Sequence, residues 1–113
     1  MNNCREVKHE KIREMLKTSE DYLENVKTVS NIFSLLGEVN RMKILLALLE
    51  GELCVYHICE ITGGKQSATS QHLRKLKDCH IVKSRKDANQ VLYSLADDHV
   101  VNIIKLALEH KEC

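Results

Sequence analysis

From Ser67 to Cys79 the chain reads SATSQHLRKLKDC, and this stretch decides how the remainder is read. At helical period Thr69, Leu73 and Leu76 fall near one face and can pack inward. The opposite face carries Ser67, Ser70, Gln71, Arg74 and Lys75, with Gln66 just before. Ordinary solvated helix faces are filled with Glu and Lys, which pair along the helix. Hydroxyls, an amide and fixed cations stand here instead, with Asp78 as the only acid, near the far end. Such groups contact phosphates and base edges in a major groove. The candidate DNA contacts on this segment are Gln66, Ser67, Thr69, Ser70, Gln71, His72, Arg74 and Lys75.

Its neighbours support a reading helix. Upstream, a short helix over 55–62 and a Gly63-Gly64 turn lead into it. Two helices joined by a Gly-containing turn form a helix-turn-helix whose second member reads DNA. Downstream the period changes from 3.6 to 2. Residues 81–86 (IVKSRK) and 91–95 (VLYSL) are strand-like, and 87–90 (DANQ) connects them as a hairpin turn. A basic hairpin directly after a helix-turn-helix is a wing. Its tip residues Arg85, Lys86, Asn89 and Gln90 can reach a backbone or minor groove beside the helix.

At 113 residues the chain has room for one domain with a modest core. Net charge is only +1, but its distribution is uneven. Residues 65–86 hold seven Lys or Arg against one acid, so a basic patch is embedded in a neutral protein. No run of about 18 apolar residues exists, and the N-terminus is too charged for a signal peptide. Five cysteines without a secretory signal point to reduced thiols in the cytoplasm, available to pack or to bind soft metals. Residues 1–18 read as a charged N-terminal arm and residues 19–113 as the folded domain. Ser19-Glu20-Asp21 reads as a helix start, followed by a stripe of Val26, Val29, Ile32, Phe33 and Leu36 that Gly37 ends. A second helix spans 39–49, apolar at Val39, Met42, Leu45, Leu46 and Leu49. The expected class is mainly α with a small β-hairpin (α+β), a homodimeric winged helix-turn-helix.

The closing segment, 97–113, holds the candidate sensor. Asp97 or Asp98 caps a helix. Val100, Val101, Ile104, Ala107 and Leu108 form one apolar face for the chain's own core. His99, Asn102, Ile103, Leu106, His110 and Cys113 form a second face, which needs another surface such as its own copy. Eleven residues is nearly three turns, so His99 and His110 point the same way but stand ~16 Å apart. One ion cannot touch both, since Zn–N bonds are about 2 Å. Two such helices packed antiparallel about a two-fold axis bring Asp97 and His99 of one beside His110 and Cys113 of the other. Each dimer would then hold two identical tetrahedral sites. Glu112 can replace Cys113 as donor, because helix ends fray.

With those residues assembled, the chain resembles the ArsR/SmtB metal-sensing winged-helix repressors over about residues 26–113. The resemblance rests on Leu45 to Leu49 leading into Glu52-Leu53-Cys54-Val55, on Gln66 to Leu73, on Val91 to Leu95, and on Asp97-x-His99 with His110. It implies a homodimer that binds double-stranded operator DNA when metal-free and releases it on binding Zn(II), with Co(II) or Cd(II) as competitors, derepressing metal efflux or resistance genes. The family's site on this helix takes Asp-x-His from one subunit and His-x-x-His or His-x-x-Glu from the other. Cys113 departs from that pattern and makes softer ions harder to exclude. The resemblance also implies a second site built from Cys54 and His57 with Cys4 and His9 of the partner's arm, although Tyr56 interrupts the Cys-x-Cys pair of the family's arsenic, lead and cadmium sensors. Cys59 and Cys79 read as packed thiols, and His80 as a loop residue.

Rival readings of the same fold are a thiol-redox or persulfide sensor using Cys54, and a regulator whose metal site has decayed. A metalloenzyme is disfavoured: four donors make a closed site, and no phosphate loop or nucleophile elbow is present. No membrane partner is expected.

Overall fold

The computed structural model describes residues 10–14 and 21–111. The expected arm boundary, the helix start at Ser19-Glu20, and Cys4, His9, Glu112 and Cys113 lie outside them. The chain divides into two units, residues 1–34 and 35–113. Helix α1 is Asp21–Leu36, α2 is Val39–Leu48, strand β1 is Leu53–Cys54, α3 is Val55–Thr62, and α4 is Gln66–Asp78. Strands β2 (Val82–Asp87) and β3 (Gln90–Leu95) follow, then α5 (Asp98–His110).

In the first unit, Val26, Val29 and Phe33 of α1 are exposed in the single chain and line an open apolar groove with Tyr22. Of the expected stripe, Leu36 alone is buried, and it belongs to the second unit.

The second unit is organised by Ile44, Leu45 and Leu48 of α2, Ile58 of α3, Leu73 and Leu76 of α4, Ile81, Val82 of β2, Leu95 of β3 and Ile104 of α5, all buried. Each such aliphatic contributes roughly 1.5–3 kcal/mol on leaving water. The phase of α2 differs from the expected one. Val39 and Leu46 face outward, whereas Ile44 and Ala47 are inside. Residues 44–49 (ILLALL) are apolar at every position, so periodicity alone cannot choose the face. Glu38 caps α2 by accepting the Arg41 amide at 2.8 Å, and Arg41 Nε donates to the Leu35 carbonyl at 2.9 Å. Both contacts lie within the second unit and satisfy backbone groups next to the start of α2.

The hairpin is part of a three-stranded antiparallel sheet in the order β1-β3-β2. Two residues make β1: Leu53 pairs with Tyr93 and Cys54 with Leu92. A strand that short leaves no alternation to recognise. Each hairpin strand runs one residue further than the sequence reading, to the Asp87–Gln90 pair, leaving a two-residue loop. Ala88 in that loop has φ 56°, a conformation that favours glycine.

Candidate nucleic-acid interface and metal centre

The α3–α4 corner sets the reading helix. Gly63 closes α3 in a left-handed conformation, its amide donating to the Cys59 carbonyl at 2.8 Å. A Cβ on Gly64 would sit 2.9 Å from Thr69 Oγ1, so glycine is required there by space. Leu73 and Leu76 anchor the inner face of α4. At the other end, His80 sits at φ 61° with its amide on Lys77 O (3.0 Å) and the Ile81 amide on Leu76 O (2.9 Å). This is a Schellman closure in which the apolar pair Leu76 and Ile81 is buried. It turns the chain directly into β2 and fixes the wing beside the helix.

Gln66, Ser67, Ser70, Gln71, Arg74 and Lys75 are all exposed on α4. Thr69 corrects the contact list: it is buried at 3% exposure beneath Gly64 and cannot lie on the outer face. His72 is half-buried and turned toward α2, lining a cleft with Lys43 and Lys65. In the wing, Lys86, Asn89 and Gln90 are exposed. Arg85 is engaged elsewhere, because its Nε and Nη2 meet the two carboxylate oxygens of Glu52 at 2.7 and 2.8 Å. This fork holds the Glu52 carboxyl below its usual range and raises the guanidinium's pKa. A contact 33 residues apart leaves no local sequence signal. Its role here is to tie the wing back to the entrance of β1.

Asp97 is the cap of α5, with Oδ1 accepting the Val100 amide at 3.1 Å. That hydrogen bond, with His99 nearby, holds its carboxyl below the ordinary value. The Nδ1 of His99 stands 3.5 Å from the same Oδ1, and its side chain is 92% exposed. His110 is exposed at the other end of an unbroken helix. Val100 and Val101 are half-buried and Ile104 is buried, but Ala107 and Leu108 are exposed, so less of α5 serves the chain's own core than expected. Ile103 and Leu106 are exposed as well. Among the described residues, no three His, Cys, Asp or Glu side chains cluster as a metal site within one chain. The structure does bring Cys54 and His57 together, Sγ to Nδ1 at 3.4 Å, with Cys54 buried and ending β1. Cys79 is exposed rather than packed, because it follows α4 on the outer side of the closure.

A basic reading helix locked to a helix-turn-helix corner and flanked by a three-stranded wing defines a DNA-binding transcription regulator, not an enzyme. The family described as bacterial regulatory protein, arsR family, matches residues 38–84. A cadmium resistance transcriptional regulatory protein CadC homolog from Staphylococcus aureus is 39% identical over 89 residues, 78% of this chain and 74% of the relative. The transcriptional repressor SmtB homolog from Synechocystis is 34% identical over 88 residues, 78% of this chain and 67% of the relative. The homodimeric winged helix-turn-helix domain of a possible ArsR-family regulator from Mycobacterium bovis superposes with a TM-score of 0.78 at 24% identity, covering 83% of this chain and 87% of that one. That structure shares the fold. The chain belongs to the ArsR/SmtB family of regulators. Among the described residues no helix is long and apolar enough to cross a membrane.

Proposed function

We propose that this protein is a cytoplasmic, homodimeric repressor that holds operator DNA when metal-free and releases it on binding Zn(II), Co(II) or Cd(II). The observation carrying this reading is the Asp97–His99 pair, 3.5 Å apart on an exposed helix start, with His110 eleven residues on along the same α5. Carboxylate oxygen and imidazole nitrogen suit zinc and its neighbours. Asp97 and His99 of one subunit would hold the ion with His110 and Cys113 or Glu112 of the other. The exposed Ile103 and Leu106 support a second α5 as the surface that covers this helix. The named cadmium resistance of a relative at 39% identity favours a metal effector.

The ion supplies a fixed bridge between two helices; the remaining steps belong to the protein. Asp97 also caps α5 and β3 packs against it, so a change at the helix start can pass to the wing strand it follows. By linkage, a metal that prefers the DNA-free arrangement weakens DNA binding by the same coupling free energy, typically about 1–3 kcal/mol. Titrating zinc against operator binding in His99→Ala and His110→Ala tests this. Both variants should hold DNA at zinc levels that release the wild type; persisting release in both places the sensor elsewhere.

A second reading is favoured by the 3.4 Å Cys54–His57 contact. Completed by Cys4 and His9 of the partner's arm it is a second metal site; alone, it is a thiol beside a base, suited to redox or persulfide sensing. Oxidant-driven release abolished by Cys54→Ser, with zinc inert, would select the thiol sensor over either metal site.

A further inference from the structure

Arg85 stands on β2 and its acceptor, Glu52, immediately before β1, with β3 between those strands. Arg85 pairs with Leu92 of β3, and on its other side Leu92 pairs with Cys54, two residues after Glu52. Neighbouring strands are ~4.8 Å apart, so the guanidinium reaches roughly 10 Å across the sheet to its carboxylate. The side chain therefore lies over β3 instead of projecting from the hairpin. Lys86, Asn89 and Gln90 stay exposed while this fork is closed.

The fork adds little to the stability of the wing. Backbone pairing from Val82–Leu95 to Asp87–Gln90 already holds the hairpin, with Ile81, Val82 and Leu95 buried beneath it. An ion pair whose side chains are 56% and 38% exposed is screened by water. Its larger effect is on charge, because a fixed cation of the wing is neutralised by the chain itself. The hydrogen bonds from Arg85, then the fields of Arg85 and Lys83, hold the Glu52 carboxyl below its usual range, so the acceptor is ionised near neutrality. A phosphodiester offers a guanidinium the same two-oxygen geometry as a carboxylate. Glu52 and a DNA backbone therefore compete for one group.

We propose that Glu52 is a competing acceptor that withholds Arg85 from DNA and sets the wing's affinity below what its cations allow. This rests on the DNA-binding reading of the wing and goes beyond it by giving an acid control over a wing cation. The restraint carries no sequence preference, since what is withheld is a charge.

The test binds the full chain to a mixed-sequence duplex across a salt series, read by fluorescence anisotropy. Glu52→Gln keeps the side chain's length and removes its charge. It should tighten binding about 2- to 5-fold per wing and steepen the slope of log affinity against log salt by about 1. Glu52→Gln combined with Arg85→Gln should return both quantities to the wild-type values, because the pair is removed whole. Glu50→Gln removes an exposed acid two residues away and should change neither. Weaker binding in Glu52→Gln would overturn the proposal, since the fork would then position the wing for contact. An equal gain in Glu50→Gln would overturn it by tracing the effect to net charge. A double variant that falls below wild type in affinity and slope would do so too, because Arg85 would already touch DNA with Glu52 in place. If no form bound duplex, the DNA-binding reading would fail and the competition with it. The Arg85 Nε–H resonance would separate that outcome, because its shift on Glu52→Gln reports the fork without DNA.

Discussion

Leu106 of α5 is the residue whose truncation reports most directly on the proposed self-association. It is 62% exposed in the single chain, on the helix side shared with Ile103. Full burial of a leucine is worth roughly 1.5–3 kcal/mol, so covering the exposed fraction gives about 1–2 kcal/mol per subunit. Two-fold symmetry counts each contact twice, and Leu106→Ala should cost the dimer about 2–4 kcal/mol. At 1.4 kcal/mol per decade this is roughly a 30- to 700-fold rise in the dimer dissociation constant. Sedimentation equilibrium over a concentration series reads that constant. Leu46→Ala is the control, since Leu46 is also partly exposed but lies on α2. An unchanged constant in Leu106→Ala, or an equal loss in Leu46→Ala, would refute the assignment of α5 as the pairing surface.

Three further predictions concern the scaffold that aims α4. His80→Gly should stabilise the fold by about 0.5–1 kcal/mol, seen as a higher denaturant midpoint, because a left-handed residue costs an L-amino acid about 1–2 kcal/mol and glycine returns part of that as chain entropy. Gly64→Ala should destabilise by about 1–3 kcal/mol through the 2.9 Å approach to Thr69 Oγ1; combined with Thr69→Ala the two losses should add to less than their sum. Glu38→Gln should lower stability at neutral pH, and the difference from wild type should vanish in acid. The Arg41 amide, with Asn40 and the field of His72 and Arg41, depresses the Glu38 carboxyl in the folded state. Its contribution is therefore present above the unfolded carboxyl range and lost as pH falls through the folded value. Urea midpoints at pH 7 and pH 3 check this.

The inward phase of α4 was legible because Thr69, Leu73 and Leu76 are separated by strongly polar residues, so only one face could be buried. The same logic failed on α2, where six successive apolar residues conceal the buried face. On α5, apolar residues on both sides announced a second surface but not how little of the helix its own chain covers. The change of period after residue 80 revealed the wing. Its third strand was invisible at two residues, and the Glu52–Arg85 fork could not be read from positions so far apart. His80 in a left-handed closure was missed because glycine is the usual signal there. Of the candidate metal ligands, Asp97 and His99 are neighbours in one chain, as Cys54 and His57 are. His110 stands apart from the first pair along α5. Lys43 escaped the sequence reading because it lies on α2, away from the basic patch in sequence; only the folded corner brings it beside Lys65 and His72.

The most direct measurement of the proposed metal centre between subunits mixes two variants that should each be inactive. Homodimers of His99→Ala and of His110→Ala should each bind no zinc on α5. In a mixed dimer both lesions fall in one site, leaving the other intact, so unfolding and refolding equal amounts together should restore about 0.5 zinc per dimer on average, with zinc-driven DNA release in that fraction. If mixing restores no zinc, or either variant alone retains it, the ion is not held between α5 of one subunit and α5 of the other.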